Sequence, residues 1–354
     1  MNDPKQLRKE TQWTSQDVLF GIARLPETST LFIGSSDFGV YAFDAAAESP
    51  ERVAFSGDGH SSYVTGVARA GGQLVSGSYD GRLIWWDVES RTQVRSLDAH
   101  DRWIRRVIAT PDGGRIVSIA DDMQIKVWDA GDGKPVAEFS DHDPLTPHDY
   151  PSMLYAVAVS ADGRWLASGD KTGHVVVWNA ETFEKVAEVE TPVMYTWDPK
   201  QRRHSIGGVR SLAFSPDGTR LAVGGIGTIG NIDHLGGPSR VEIFQWESGE
   251  RLFELENEER KGLVEQIVWS PDGSWILCGG GDHKGFLKFY DMTTGDLIHQ
   301  DGGDGHVHGF VLDEDWTTIF TACHQRIERW TIEAAASAEG SDAAAEMTGD
   351  TESN

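Results

Sequence analysis

The sequence is poor in cysteine, has no long apolar run, and contains fewer basic than acidic residues. Two cysteines among 354 residues, Cys278 and Cys323, argue against a disulfide framework, and both lie in strand-like segments where a buried thiol acts as a small apolar group. No apolar run approaches the roughly 18 residues needed to cross a bilayer. The first residues, MNDPKQLRKETQW, also have no apolar segment typical of a secretory signal. We therefore expect a cytoplasmic protein that does not bind a membrane.

The shortage of basic residues bears on the choice of partner. The chain has 31 Lys and Arg residues against 56 Asp and Glu residues, a formal net charge of -25. A mean field of this sign repels polyanions, so the composition argues against nucleic acid as a partner, although a local basic patch would be an exception. Apolar residues make up 39% of the chain, which is enough for a core, and the length suits two ordinary domains or one large all-β domain.

What the sequence has in abundance is one repeated segment. LVSGSYDGRLIWWD, residues 74 to 87, alternates apolar and polar residues, contains an Asp-Gly turn and ends in Trp-Asp. Close copies occupy residues 31–44, 116–129 and 166–179, and looser copies occupy 221–246, 276–291 and 319–330. The seven copies end near Phe43, Trp86, Trp128, Trp178, Trp246, Tyr290 and Trp330. Their separations of 40 to 68 residues start at the roughly 40 to 45 residues typical of one four-stranded propeller blade.

The segments between the copies predict further strands. VRSLAFSPDGTRLAVGG and VEQIVWSPDGSWILCGG place a Pro-Asp-Gly turn between two stretches with period-2 alternation. Proline presets φ and glycine permits a positive φ, so each segment predicts a β-hairpin. No long helical pattern competes with these strands before the C-terminal tail.

The repeated motif resembles the WD-repeat family of β-propellers over about residues 5–332, and is similar to its bacterial members. The resemblance implies an all-β fold, a single seven-bladed β-propeller of four-stranded antiparallel blades spanning residues 1–332. It also implies that an N-terminal strand, about residues 5–11, completes the last blade and closes the ring, which removes open sheet edges. The segment 333–354, with six acidic and no basic residues, is expected to be disordered.

The family resemblance further implies structural tetrads, sets of four side chains that tie the strands of one blade together through buried hydrogen bonds. Two sets match the motif, and they are His60, Ser76, Asp80, Trp86 and His100, Ser118, Asp122, Trp128.

Four inserts depart from the repeat, at residues 141–153, 191–208, 225–240 and 280–285. By the resemblance, all four lie on one face, in blades four to six. The second insert joins aromatic and basic residues, which are common anchors of protein interfaces, and long loops on rigid scaffolds often carry function. The predicted partner-binding residues are Tyr195, Trp197, Lys200, Arg202, Arg203, His148, Tyr150 and His234.

We therefore predict a non-catalytic protein-interaction scaffold that is monomeric on its own and binds one or more proteins or peptide segments through this face. No catalytic residue, cofactor or metal site is predicted: the histidines of the inserts have no HExxH or CxxC spacing, and the glycines of 225–240 lack the following helix and lysine of a phosphate loop. One alternative is an enzyme or small-ligand binder with a pocket in the insert sector or the axial channel, marked by convergence of His142, Asp149, Arg203 and Asp233. A second is recognition of a modified or nucleic-acid ligand by the basic loop.

Overall fold

Antiparallel strands make up almost all of the computed structural model, which describes residues 2–199 and 204–334. Within these residues the one helical element is a 3₁₀ turn, Pro192–Met194. None of the described helices is long and apolar enough to span a membrane. The alternating apolar and polar residues thus form strands, as their periodicity predicts.

Five sheets contain four strands each, and in each sheet the strands follow one another as an antiparallel meander. With strands numbered along the chain, the first two of these sheets are β5 (Val64–Ala70), β6 (Gln73–Ser78), β7 (Arg82–Asp87), β8 (Thr92–Asp98), and β9 (Ile104–Ala109), β10 (Arg115–Ala120), β11 (Ile125–Asp129), β12 (Pro135–Phe139). The next three are β13 (Leu154–Val159), β14 (Trp165–Asp170), β15 (His174–Asn179), β16 (Lys185–Glu190), then β19 (Ser211–Phe214), β20 (Arg220–Ile226), β21 (Ser239–Gln245), β22 (Glu250–Asn257), and β23 (Leu263–Trp269), β24 (Trp275–Gly281), β25 (Gly285–Asp291), β26 (Leu297–Asp301). A two-stranded ribbon is formed by β17 (Tyr195–Asp198) and β18 (His204–Gly207).

A sixth sheet has six strands and joins the two ends of the described chain. Its order is β27-β28-β1-β2-β3-β4, where the strands are β1 (Asn2–Arg24), β2 (Thr30–Ser35), β3 (Val40–Asp44), β4 (Arg52–Ala54), β27 (Val307–Leu312) and β28 (Thr318–Ala334). The N-terminal part of β1, from Asn2 to Val18, pairs with β28, and its C-terminal part, Leu19 to Arg24, pairs with β2. Within the described residues, six sheets of four or more strands are therefore present, and their number does not confirm the predicted seven blades.

The first strands of successive sheets surround a central axis. Contacts run from β1 to β5, β9, β13, β19, β23 and β27 in turn, and from β27 back to β1. The inner strands approach closely at Gly66, where a Cβ atom would lie 2.8 Å from the backbone nitrogen of Val107. The fold is thus an all-β propeller of antiparallel, mostly four-stranded blades.

The Ser-Pro-Asp-Gly segments form the tight turns that join the first and second strands of a sheet. In one of them, the Ser215 hydroxyl donates to Asp217 at 2.5 Å, and the Thr219 backbone N–H donates to the same carboxylate at 3.1 Å. Gly218 has φ +72°, a left-handed conformation that favours glycine. Asp112, Asp162 and Asp272 accept equivalent bonds in the corresponding turns.

Apolar residues of adjacent sheets form the core. Between β5–β8 and β9–β12, for example, the fully buried Trp85 packs in one cluster with Ile104 and Trp128. Both cysteines are buried and unbonded, and burial raises the pKa of the Cys278 thiol to about 12. The strands, turns and packing together yield a rigid ring on which connecting loops are held in fixed positions.

The strand register shows that one copy of the repeat ends two residues earlier than the sequence predicted. In β7 the residue paired with Leu74 is Trp86, and in β21 the residue paired with the equivalent Leu221 is Phe244. Trp246, taken from the sequence as the end of this copy, lies two residues farther on, just after β21. The long insert between β20 and β21 hid this offset, because the spacing from the glycine turn could not be counted across it.

Candidate functional site

Two kinds of connection share one face of the ring, which we call the insert face. They are the links into the first strand of each sheet and the turns between its second and third strands, because antiparallel order brings both to the same end of a sheet. All four inserts are connections of these kinds, whereas the Ser-Pro-Asp-Gly turns lie on the opposite face.

A chain of buried hydrogen bonds anchors the insert face to β5–β8. The Trp86 indole donates to Ser76 Oγ at 2.8 Å, Ser76 Oγ lies 2.7 Å from His60 Nε2, and His60 Nδ1 lies 3.1 Å from Asp80. These bonds are all satisfied when Trp86 and Ser76 donate in turn and a neutral His60 donates to the carboxylate. Burial opposes ionisation of Asp80, but the bond from His60 and two backbone N–H bonds outweigh it and lower its pKa.

The second predicted set lies together in the same way in β9–β12. His100 Nδ1 is 2.9 Å from Asp122, His100 Nε2 is 2.8 Å from Ser118 Oγ, and the Trp128 indole donates to Ser118 at 2.9 Å. The structure thus brings together all eight residues of the two sets.

A third set, in β13–β16, uses residues that the sequence analysis assigned differently. His142 Nδ1 lies 3.1 Å from Asp170 and its Nε2 lies 2.8 Å from Ser168, to which the Trp178 indole donates at 2.9 Å. Asp170 stands two residues before Thr172, which holds the aligned position and donates its hydroxyl to Asp170 at 2.8 Å. His142, considered above as a possible catalytic residue, is therefore engaged on both ring nitrogens, while Asp149 of the same suggestion is exposed in a turn.

Four of the predicted partner-binding residues form one aromatic group, which we call the insert cluster. The His148 ring stacks on Trp197 with centroids 4.2 Å apart, and His148 Nδ1 lies 3.0 Å from the Tyr195 hydroxyl. Tyr150 packs against Trp197 at 5.3 Å and is 39% exposed. The cluster joins residues from the first and second inserts.

Ordered backbone holds this cluster in place. In the first insert, residues 145 and 151 form an isolated antiparallel bridge, and the Thr146 N–H donates to the Tyr150 carbonyl at 2.7 Å. In the second, β17 and β18 pair Trp197 with Ser205, and buried Met194 fixes the base of the hairpin. The Ile229 N–H of the third insert donates to Thr196 at 3.1 Å, so three inserts support one another.

The remaining predicted residues are not part of this cluster. Lys200, Arg202 and Arg203 lie outside the described residues. His234 is exposed in the third insert, and within the described chain its ring is not among the stacked pairs of the cluster. The structure describes no group of three or more His, Cys, Asp or Glu residues that could hold a metal ion.

An ionic bridge divides the axial channel. Arg106 on β9 donates to the Glu265 carbonyl on β23 at 2.7 Å, and its guanidinium lies 3.6 Å from the Glu265 carboxylate. The nearby groups His306, Arg210 and Arg106 lower the pKa of Glu265 to about 2 although its burial acts in the other direction. A cavity of about 650 Å³ lies on the side of the Ser-Pro-Asp-Gly turns, and one of about 210 Å³ opens toward the insert face.

Arg105 and Arg210 line the smaller cavity, and buried Lys171 lies close to both; we call these three cations the cationic mouth. Arg105 forms a two-point ion pair with Asp121, at 2.6 and 2.8 Å. Arg210 lies 3.8 Å from the centroid of the Tyr155 ring. Lys171 is 5% exposed, and burial together with Arg210 lowers its pKa.

Beside the mouth runs a line of four aromatic side chains, Phe38, Tyr63, Tyr79 and Trp103, which we call the aromatic arc. Its successive ring centroids are 5.9, 5.8 and 4.5 Å apart, and the last pair is stacked at 5°. Phe38 and Tyr63 are each 42% exposed, and Trp103 is 50% exposed. Arg105 connects arc and mouth, because its guanidinium lies 4.9 Å from the Tyr79 ring.

Neither the cationic mouth nor the aromatic arc was predicted from the sequence, because each repeat supplies only one or two of these residues and no stretch of the chain contains them together. A signal was nevertheless present: Tyr79 follows a second strand directly, and Trp103 and Arg105 stand at the entry to a first strand. Those positions share the insert face in every repeat.

The fold is a repeat propeller in which three sheets contain the same buried Trp-Ser-His-Asp pattern of hydrogen bonds. A family model described as "WD domain, G-beta repeat" matches residues 52–87, 91–129, 133–179, 198–228 and 249–291. These segments make up more than half of the chain, which therefore belongs to the WD-repeat family.

Several curated proteins are similar to the chain. Eukaryotic translation initiation factor 3 subunit I of Aspergillus fumigatus is 26% identical over 235 residues, which cover 64% of this chain and 62% of that protein. The protein of the same name from Candida albicans is 26% identical over 208 residues, 57% of this chain and 52% of its own length. Nuclear distribution protein PAC1 of Arthroderma otae is 28% identical over 169 residues, 41% and 37% of the two chains. The match thus spans less than two thirds of each relative.

Proposed function

We propose that the protein is a non-catalytic interaction platform that binds a partner protein through the insert face. The observation that carries this proposal is the insert cluster, in which partly exposed aromatic rings are fixed by paired backbone on a rigid ring. A preorganised surface of this kind loses little conformational entropy on binding, and Trp and Tyr are frequent hot-spot residues. That two of the similar proteins are named as subunits of a larger factor is in keeping with a role in an assembly.

The test compares capture of partners by four forms of the full chain, of which one is unaltered. In the first variant, residues 193 to 204 are replaced by a short Gly-Ser turn, and in the second Trp197→Ala removes one ring. Val186→Ala is the matched control, because this residue is 46% exposed on an outer strand. We expect the unaltered chain and the control to retain a stoichiometric partner that both insert variants lose; equal capture by all forms would refute a role for the insert cluster.

We infer further that the six-stranded sheet combines two blades, so that the ring has seven. Seven first strands contact one another in a closed order, and the pairing of β1 switches from β28 to β2 between Val18 and Leu19. A blade boundary there assigns residues 5–11 to the last blade and closes the ring through the N-terminal strand, leaving residues 1–332 as one domain. Such closure is expected to favour a monomer, because the N-terminal strand of the same chain already covers the edge of β28.

Deletion of residues 1–12 tests this closure. Because the deletion would expose the β28 edge, we expect a lower melting temperature and a less cooperative transition. Removal of residues 335–354 serves as the control and should leave melting unchanged. An unchanged melting temperature after the N-terminal deletion would contradict the assignment.

A further inference from the structure

A second surface on the insert face is composed of residues other than those of the insert cluster and lies where the aromatic arc meets the cationic mouth. We propose that this surface binds an acidic segment of a partner protein, with a carboxylate side chain in the mouth and adjoining apolar side chains on the arc. The inference rests on the proposed function in taking the ligand to be a protein segment, but it involves a different set of residues.

The charges around the small cavity are complementary to those of an acidic ligand. Arg105, Arg106, Arg210 and Glu265 line the small cavity, and Lys171 and Asp121 lie close to them. These four cations and two carboxylates leave an excess of positive charge in a chain whose formal net charge is -25. Arg105 is paired with Asp121, and Arg106 with Glu265. The excess therefore resides on Lys171 and Arg210.

Among the described residues, neither of these two cations forms an ion pair within 4 Å with a carboxylate, although Arg210 acts on Glu265 and Asp121 acts on Lys171 from a longer distance. The Arg210 guanidinium stacks on Tyr155 and donates to the Gly207 carbonyl at 3.2 Å, but its buried Nε has no hydrogen-bond acceptor there. Lys171 is 5% exposed, and the charges that act on it are Arg210, Asp121 and Arg105. A bound carboxylate would supply the acceptor that both side chains lack, at a site already partly removed from water.

The surface beside the mouth is apolar. Three of the four rings of the arc are more than 40% exposed. All four rings together form a continuous line of contacts. Exposed aromatic side chains in contact mark interaction surfaces more strongly than isolated ones. Because Arg105 contacts both Tyr79 and Trp103, the apolar line ends at the cavity, so an acidic residue with apolar neighbours matches both parts.

The size of the cavity favours a side chain over a larger group. Its volume is about 210 Å³, and Arg106 and Glu265 are among its lining residues. A carboxylate on a short aliphatic stem fits this space, whereas pockets for drug-sized ligands are typically about 300 to 1,000 Å³.

The probe for this site is the peptide Glu-Leu-Glu-Leu-Glu-Leu-Glu-amide with fluorescein on its N-terminal nitrogen, used with the full chain in fluorescence anisotropy. Two companion peptides replace every Glu by Gln or every Leu by Gly. We expect the acidic-apolar peptide to bind at least fivefold more tightly than either companion. Equal affinity of the Gln peptide would overturn the assignment of a carboxylate, and equal affinity of the Gly peptide would overturn the role of the arc.

Two variants locate the site, and two control variants test its specificity. Arg210→Gln and Trp103→Ala should each weaken binding of the peptide by about tenfold, whereas Arg164→Gln should change it by less than twofold. Arg164 is a matched control because it lies on the opposite face, 5.3 Å from the Trp165 ring, and carries the same charge. Val136→Ala, at a residue 45% exposed on an outer strand, is the control for Trp103. Equal losses in the test and control variants would show that overall charge or apolar surface is responsible, and would refute the proposal.

Further measurements distinguish this proposal from the proposed function and from binding of other ligands. Trp197→Ala should leave peptide binding intact even if capture of the partner is lost. Peptide binding lost in Trp197→Ala but retained in Arg210→Gln and Trp103→Ala would place the peptide on the insert cluster and refute the second site. A large gain in affinity on deleting residues 335–354 would show that the acidic tail of this chain is the occupant instead, and displacement of the peptide by millimolar inorganic phosphate would indicate a phosphate site.

Discussion

Two groups of sheets in this ring satisfy their buried polar groups in different ways. In β5–β8, β9–β12 and β13–β16, a serine on the second strand connects the tryptophan of the third strand to a histidine and an aspartate of the insert face. In β19–β22 and β23–β26 the positions of that serine hold Val223 and Cys278, which have no hydroxyl group to bridge the strands. The first group uses a chain of hydrogen bonds that ends at a carboxylate, and the second does not have this chain.

Charged side chains take over in the second group. Arg240 on β21 donates to Glu242, Glu254 and Glu256, each at 2.7 Å, and Glu242 is fully buried. On β25, fully buried Lys288 contacts Ser239 Oγ at 2.5 Å, Asn257 Oδ1 at 3.1 Å and the Arg260 carbonyl at 2.6 Å. The same four-stranded meander therefore tolerates very different interiors.

The difference teaches where inserts can be accommodated. The hydrogen-bonded chains take their histidine from the link into the first strand and their aspartate from the turn after the second strand. Both connections are lengthened in β19–β22, which does not have this set of hydrogen bonds, and the turn is lengthened in β23–β26. In β13–β16, the insert starts just after His142 and leaves that bond intact. Loss of the internal bonds thus accompanies freedom of the loops to carry a binding surface.

The largest effect that distinguishes the two groups is expected from His60→Ala. The change leaves a cavity and removes the partner of two buried groups, Ser76 and Asp80, so it should lower the free energy of unfolding by about 3 to 4 kcal/mol. Urea unfolding followed by tryptophan fluorescence measures this change. His234→Ala, at an exposed position, should stay within about 0.5 kcal/mol of the unaltered chain. Similar values for both would show that the hydrogen-bonded chain contributes little.

Lys288→Met tests the charged interior through its dependence on pH. Burial lowers the pKa of Lys288 from 10.5 to about 7. Between these values the unfolded chain binds more protons than the folded protein, so stability should rise with pH, by up to about 1.4 kcal/mol per unit. From pH 7 to 9, urea unfolding should show a gain of about 2 kcal/mol for the unaltered chain relative to Lys288→Met. A constant difference would mean that the three oxygen atoms around Lys288 already stabilise its ammonium form.

A smaller contrast is expected between two tryptophans. Trp86→Phe removes the indole donor to Ser76 inside the sheet and should lower the free energy of unfolding by about 2 kcal/mol. Trp246→Phe removes the bond to the Gly218 carbonyl, which lies in a surface turn where water can replace the donor, and should cost about 1 kcal/mol or less. Thermal unfolding of both variants measures the contrast, which would disappear if ring packing alone decided the effect.

The smallest effect concerns the shifted aspartate of the third hydrogen-bonded chain. Thr172→Val removes the hydroxyl that donates to Asp170, and the expected loss is about 1 kcal/mol. Thr172→Ser retains the hydroxyl and is expected to restore most of the stability in the same unfolding measurement. A Val variant as stable as the Ser variant would show that the backbone N–H bonds to Asp170 are sufficient.

Local sequence patterns predicted most of the fold. Period-2 alternation and the Pro-Asp-Gly turns predicted strands and hairpins because these depend on neighbouring residues. The internal sets that include Ser76, Asp80 and Trp86 were implied by the resemblance to the WD-repeat family. Asp170 escaped the spacing because it stands two positions early, and only the third dimension shows that its carboxylate reaches His142.

The two proposed binding surfaces could be predicted from the sequence to different degrees. His148, Tyr150, Tyr195 and Trp197 were predicted because inserts are visible as interruptions of a repeat. The aromatic arc could not be predicted in this way, since its four residues come from different turns and links and meet only when the ring has formed.

The pairing of β1 with β28 also has a consequence for the timing of synthesis. The side chain of Asn2 donates to the carbonyl of Asp315, 313 residues farther along the chain. At roughly 5 to 20 residues per second, a ribosome needs roughly 15 to 60 s to reach that partner after the first residues have been made. For this interval the first strand has an unpaired edge, and the nascent chain depends on chaperones or on rapid folding of the intervening sheets to avoid aggregation.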